Sequence, residues 1–400
     1  MALQEVGGPF MSAGGIATPS DLAEARPRFL CRWIAGPWTD LPWLIGGALG
    51  GYGLFFLYAV VGWPMEMIWL VWYVLLDIPH FFGTYVRTYL DPVERARRPA
   101  LLYGSLLLPA VGPLMLLLGY GLFLAGHSEL HLLPFHVLVA FVMLWAYWHV
   151  VRQHYGILSL YKRKNGDATP ADYWIDSGLL YGGLLLPLVP LVLLHPDARW
   201  HLGLPEAQGS WEAPAISAAA WLIAGLALLF LWRQVVLACR GEALNLAKLL
   251  FLLAVVPLHV FVGWHPATFA TSLLGFAAFV TIFHDLQYHA IVWHAQQMKL
   301  ARAPDPSRHG LSALVSRNLL VFLGCATAMG VASWLVGCSL DIRPGCVPIL
   351  RAKQVGLFGH VTLEHLLAGV VLGFIMHHYL VDQFIWRPSK DEAVRKDLAS

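Results

Sequence analysis

Ten stretches of this 400-residue chain are long and apolar enough to cross a bilayer, and they leave little freedom in what the chain can fold into. A spanning helix needs about 20 predominantly apolar residues. The stretches lie at 43–62, 64–86, 101–125, 133–160, 175–195, 215–237, 245–263, 268–295, 317–337 and 355–386. Only 12% of the residues are charged, against about 25% in soluble domains. The expectation is an all-α polytopic membrane bundle of about ten helices. Seventeen Trp and 14 Tyr suit the many interfacial crossings of such a bundle. A net charge of +2 gives no case for nucleic-acid binding.

The basic residues predict an orientation. With ten spans and the N-terminus inside, the inner segments hold 21 of the 26 Lys and Arg, the outer loops hold four, and Arg152 lies within a span. Because Lys and Arg collect on the cytoplasmic side, both termini are expected there, as in a multi-pass protein of a bacterial inner membrane. Residues 1–42 lack a basic-then-apolar leader pattern and read as a cytoplasmic extension. Residues 43–387 form the membrane domain, and 388–400 a cytoplasmic tail.

Histidines gather at one end of four of these spans. They are His80 in Asp77-Ile-Pro-His80, His149 and His154, His284 and His289 with His294 beyond, and the adjacent His377 and His378. On the expected topology all lie toward the cytoplasmic boundary. Polar side chains at membrane depth are costly and mark sites, and imidazole is the commonest transition-metal ligand. Three clusters set a carboxylate on the same helix face as a histidine: Asp77 with His80, Asp285 with His289, and Asp382 with His378. The expected ligands are His80, His149, His154, His284, His289, His377, His378, Asp285 and Asp382. Five-residue spacings such as His149/His154 and His284/His289 are about 140° apart on a regular helix, so a π-bulge must realign them or they serve different ions or shells. Tyr155, Tyr288 and Tyr379 adjoin ligand candidates and are expected to donate hydrogen bonds to a reacting oxygen, and Arg152 to bind an anionic head group or pair with an acid such as Asp77. Histidines at 127, 131, 136, 195, 201, 259 and 265 read as solvated loop residues, with His360 and His365 as exceptions at the start of the last span.

Histidines and carboxylates at a membrane face suit non-haem iron, one or two ions, used with O₂ against an apolar substrate. No G-x-G-x-x-G, P-loop or C-x-x-C occurs, so electrons are expected from a cytosolic donor. In its cluster of eight inner histidines and its adjacent His377-His378 near the end, the chain resembles the membrane histidine-box di-iron desaturases, lipid hydroxylases and alkane monooxygenases. The family's H-x-x-x-H and H-x-x-H-H boxes are absent from the inner cluster, so the resemblance implies a reaction class, hydroxylation or desaturation, and no residue roles. Three other readings are open at this stage: a haem b electron carrier, a metal or proton transporter, and a metal-free lipid isomerase or cyclase working by Asp/His acid–base chemistry. Cys338 and Cys346 share the outer loop before the last span and are placed to pair if that loop is oxidised.

Overall fold

The computed structural model describes residues 28–167, 169–205, 209–342 and 348–398. Among them, nine helices are long and apolar enough to cross a membrane: α1 (Pro37–Ala59), α2 (Met65–Arg87), α3 (Pro99–Leu124), α4 (Leu133–Lys164), α5 (Pro170–Leu194), α6 (Glu212–Cys239), α7 (Leu246–Trp264), α9 (Leu319–Ser339) and α10 (Leu363–Ile385). Between α7 and α9 runs α8 (Leu273–Arg302). It is long but less apolar, because His284, Asp285, Gln287 and His289 are buried along it. Leucine, phenylalanine and tryptophan cover the outside, as on Trp38, Leu107, Trp221 and Leu320. The chain is an all-α polytopic membrane bundle.

The helices begin where local chemistry ends the preceding loop. α5 starts at Pro170 with Thr169 capping the Asp172 N–H, and α7 starts after Asn245, which caps Lys248. In the first turn of α1, the carboxylate of buried Asp40 accepts the Ile34 and Ala35 N–H groups and the Tyr161 hydroxyl, tying the entry segment to α4. α1 therefore begins at Pro37, inside the segment expected to be extension. At the other end, Gly356–Phe358 and Val361–Thr362 pair as a small antiparallel hairpin, so the last span begins at Leu363 instead of 355. Cys338 is disulfide-bonded, whereas Cys346 lies outside the described residues.

Four helices meet at the centre: α2 and α4 each pack against both α8 and α10. α1 covers α8, α9 covers α2, and α3 lies over α4 and α10. The α3–α10 crossing is as close as backbones allow. A Cβ on Gly112 would stand 2.3 Å from the Gly369 Cα, so only glycine fits. In α2 the turn Tyr73–Asp77 is π-helical, immediately before Ile78-Pro79. Pro79 has no N–H to donate to the preceding turn, and the wider turn resets the helix phase just ahead of His80.

Residues 388–398 are not a free tail. The helix α11 (Glu392–Asp397) docks on α8, with Val394 and Leu398 in the core. Asp397 meets Arg87 at 3.1 Å and also Arg302. Asp391 is bound by Arg97 at 2.6 Å and by Arg98. Burial alone would raise the Asp391 carboxyl, but the hydrogen bond from Arg97 and the Val394 N–H bring it below the usual carboxylate range.

Candidate metal centre

His80 from α2, His149 from α4, His284 from α8 and His378 from α10 form a closed ring of four imidazoles. Successive centroids are 4.8 Å (His80–His378), 5.2 Å (His378–His149), 5.0 Å (His149–His284) and 5.1 Å (His284–His80) apart, and every pair meets edge to face. All four are buried. With metal–nitrogen bonds of about 2.1 Å, imidazole centroids around one ion stand about 4.6 Å apart in a square and about 5.3 Å apart in a tetrahedron. The observed ring falls between these limits.

The hydrogen bonds fix which atoms face inward. Asp382 Oδ1 accepts from Thr84 Oγ1 and from Tyr288 OH, both at 2.8 Å. Thr84 has given its proton, so it accepts from His378 Nδ1 at 2.8 Å. The His378 lone pair therefore sits on Nε2, which is 3.0 Å from His80 Nε2. On its other side His80 Nδ1 lies 3.1 Å from Asp285 Oδ1, a close contact that is too bent to count as a hydrogen bond. The nearby carboxylate still favours the proton on Nδ1. With the His80 proton on Nδ1 the two Nε2 lone pairs face each other, an arrangement that a cation between them would satisfy. At 3.0 Å they subtend roughly 90° at an ion with bonds of about 2.1 Å, the angle of neighbouring ligands in a five- or six-coordinate site.

Asp382 Oδ2 lies beside His149 and His378. It is buried without a hydrogen-bond partner, as is His149 Nε2, and lies 3.9 Å from that nitrogen and 3.8 Å from His378 Nε2. The trios His80/His284/His378 and His149/His378/Asp382 each bring donor atoms within 4.8 Å of one another. They share His378, whose Nδ1 is engaged by Thr84. The five donors do not all lie within 4.8 Å of one another, so the trios are two candidate positions that overlap at this one imidazole. A third trio, Asp77/His80/Asp285, reaches His80 from its opposite nitrogen.

The supporting shell comes from the same four helices. Trp72 Nε1 donates to Asp285 Oδ2 at 3.2 Å, Tyr379 stacks on His149 at 4.7 Å, and Phe81 stacks on His378 at 4.1 Å. Tyr288 reaches Asp382 because Gly83 leaves room: a Cβ there would stand 2.8 Å from the Tyr288 ring. Such partners typically contribute 10–100-fold to metal affinity. Thr84→Val and Tyr288→Phe are each expected to weaken metal binding by about that factor, read by competition with a chelator of known affinity.

Six of the nine expected ligands are at this centre: His80, His149, His284, His378, Asp285 and Asp382. The other three are not. His154 and His289 lie on continuous α-helices with no π-turn to realign them. His154 faces His259, and His289 faces Phe322. His377 points away from the centre, with Nε2 2.9 Å from Tyr89 OH. Tyr288 and Tyr379 are in place, but Tyr155 stacks on Tyr181 and donates to Tyr173. Arg152 lies over the Tyr155 ring and reaches Tyr181; it lines a cavity of about 760 Å³ that opens onto His149, Tyr288 and Asp382.

Thr84 was missed. A lone threonine carries no sequence signal, although its place four residues after His80 puts it on the same helix face. Three of the supposed loop histidines are buried: His131, His195 and His259. His195 and His265 cap short helices by accepting the Asp197 and Ala267 N–H groups. The side chain of His201 lies outside the described residues. No protein-family model, curated protein or solved structure matches this chain.

Proposed function

We propose that this protein is a membrane-embedded, non-haem metal-dependent oxidoreductase, with iron as its metal, that acts with O₂ on a lipid or other apolar substrate. The observation that carries the reading is the pair of facing Nε2 atoms of His80 and His378 inside a ring of four buried imidazoles closed by Asp382. Buried imidazole nitrogens with a carboxylate oxygen close by, and a His80–His378 bite near a right angle, suit a five- or six-coordinate redox metal better than a closed tetrahedral zinc site. A bound ferrous ion would supply the O₂ chemistry. Haem is disfavoured at this position because a porphyrin needs a flat slot between its axial imidazoles, and these rings touch one another.

The chain's own residues have separable tasks. The carboxylate of Asp382 is held by Thr84 and Tyr288 so that its second oxygen is free to ligate. Tyr288 holds a proton at the cavity wall, where Trp386 Nε1 approaches it at 3.4 Å. α1 and α9 cover α8 and α2 and shield that side of the ring from lipid and water. Hydroxylation consumes O₂, two electrons and two protons. One oxygen enters a C–H bond and the other leaves as water, so a donor on the cytosolic side must bring the electrons. The end of the bundle that bears His149, Asp382 and the basic loops is assigned to that side.

Metal content, the visible spectrum and O₂ consumption with a reductant, measured on one detergent-purified sample, test this reading. About one iron per chain without a Soret band, and O₂ uptake that rises with added bilayer lipid, is expected. A Soret band moves the protein to the cytochromes. Absence of metal after reconstitution leaves Asp382, Thr84 and Tyr288 as an acid–base relay and removes the oxidoreductase.

A further inference from the structure

The cavity beside the centre has a chemically divided lining. Its inner end carries His149, Tyr288 and Asp382, its walls include Ile157, Leu160, Ile291 and Trp386, and its rim carries Arg152, Arg163, Arg387 and Lys390. Among the described residues Asp382 is the only acidic one in the lining. Its volume of about 760 Å³ is that of a small-molecule site.

The four rim cations differ from the buried and half-buried basic residues at the same end of the bundle. Arg87, Arg98, Lys162, Lys248 and Lys299 each meet a carboxylate. Among the described residues none of the rim four does. Arg152 reaches only the Tyr181 hydroxyl and the faces of Trp148 and Tyr155, and Arg387 donates to the Gln383 carbonyl. A general excess of Lys and Arg at one membrane face does not require its unpaired members to surround one cavity. The cavity also follows a single stripe of α4: His149, Arg152, Gly156, Leu160 and Arg163 succeed one another at spacings of three and four. At 1.5 Å per residue that stripe is roughly 21 Å long, with Arg152 only about 4.5 Å along the axis from His149.

We infer that the cavity binds an amphiphile with one negatively charged head group, carboxylate or phosphate, held by the rim cations around Arg152 and Arg387 with its chain against the apolar wall beside His149 and Asp382. The inference rests on the proposed reading for what then happens to the substrate, but the binding itself does not need the metal. Arginine suits such a head because its planar fork matches carboxylate and phosphate oxygens. A head at Arg152 sets the reacting carbon a few bonds from the charged end.

Equilibrium binding to the full-length protein in nonionic detergent decides this, using oleate, monooleoyl phosphatidate, oleyl alcohol and inorganic phosphate as probes. Oleate or the phosphatidate is expected to bind at least about tenfold tighter than the alcohol, since charge-assisted hydrogen bonds are the stronger class. The double variant Arg152→Gln/Arg387→Gln should erase that preference and leave binding of the alcohol and metal content unchanged. If that variant does not fold, Arg163→Gln/Lys390→Gln, at two exposed positions, takes its place with a smaller loss in the same direction. Arg240→Gln, on an arginine outside the cavity, should change nothing. Which of the two charged amphiphiles binds tighter names the head group. Equal affinity for oleate and oleyl alcohol, an unaltered preference in the variants, or inorganic phosphate binding as tightly as the amphiphiles would overturn the inference. Head-selective binding by protein that never takes up metal would keep the cavity assignment and discard the oxidoreductase.

Discussion

His378→Ala is expected to lose nearly all bound metal, and His377→Ala, one residue away, to keep it. The two side chains leave α10 about 100° apart. His378 stands in the imidazole ring with its Nε2 3.0 Å from that of His80, and His377 is spent on Tyr89. The same contrast is expected within α4, where His149→Ala loses metal and His154→Ala retains it, and within α8 between His284→Ala and His289→Ala. Removing a ligand should weaken binding by at least the 10–100-fold typical of an outer-shell partner. Metal per chain by mass spectrometry across the six variants gives the pattern. Equal loss in both members of each pair would mean that the histidines act by maintaining the fold, and the ring would not be a ligand set.

Asp176→Ala should be the most damaging change away from the centre. Asp176 is fully buried in α5 and takes charge from Lys162 of α4 and from Lys248 of α7, the latter at 3.2 Å. Lys248 also meets Asp167 at 2.6 Å, so it keeps one partner when Asp176 is lost, whereas Lys162 keeps only the Asp172 carbonyl. Breaking a buried ion pair from one side leaves an uncompensated charge and costs about 3–5 kcal/mol. A lower unfolding midpoint in detergent is expected. Asp176→Leu combined with Lys162→Met should recover much of the loss, because apolar residues of similar volume often replace a buried charge pair at little cost and Lys248 keeps Asp167. If Asp176→Ala unfolds at the wild-type midpoint, water reaches these lysines and the network is not buried in solution.

The spans and the depth of the histidines were legible in the sequence because both are one-dimensional quantities: the length of an apolar run and the distance of a residue from its end. What the linear pattern did not carry is rotation about each helix axis. The π-turn before His80 and the unbroken α-helices under His154 and His289 decide which imidazoles converge, and neither has a spacing that announces it. The carboxylate roles shifted for the same reason. Asp285 pairs by sequence with His289, but in space it lies beside His80. Thr84 and Gly83 matter through what they touch on α8 and α10. The C-terminal segment read as a tail because it is short and charged, yet those charges are the ones that meet Arg87, Arg97, Arg98 and Arg302.

His80 and His378 are 298 residues apart in the chain, which sets the order of events during synthesis. Helices enter the bilayer as the ribosome delivers them, so α2 is in place long before α10 exists. A nascent chain that stops short of α10 has three imidazoles, no Asp382 and no facing pair of nitrogens. On the proposed reading, the ion would be acquired by a finished, inserted protein and not during translation. A chain truncated before α10 would lack His378 and Asp382 and is expected to reach the membrane without binding metal.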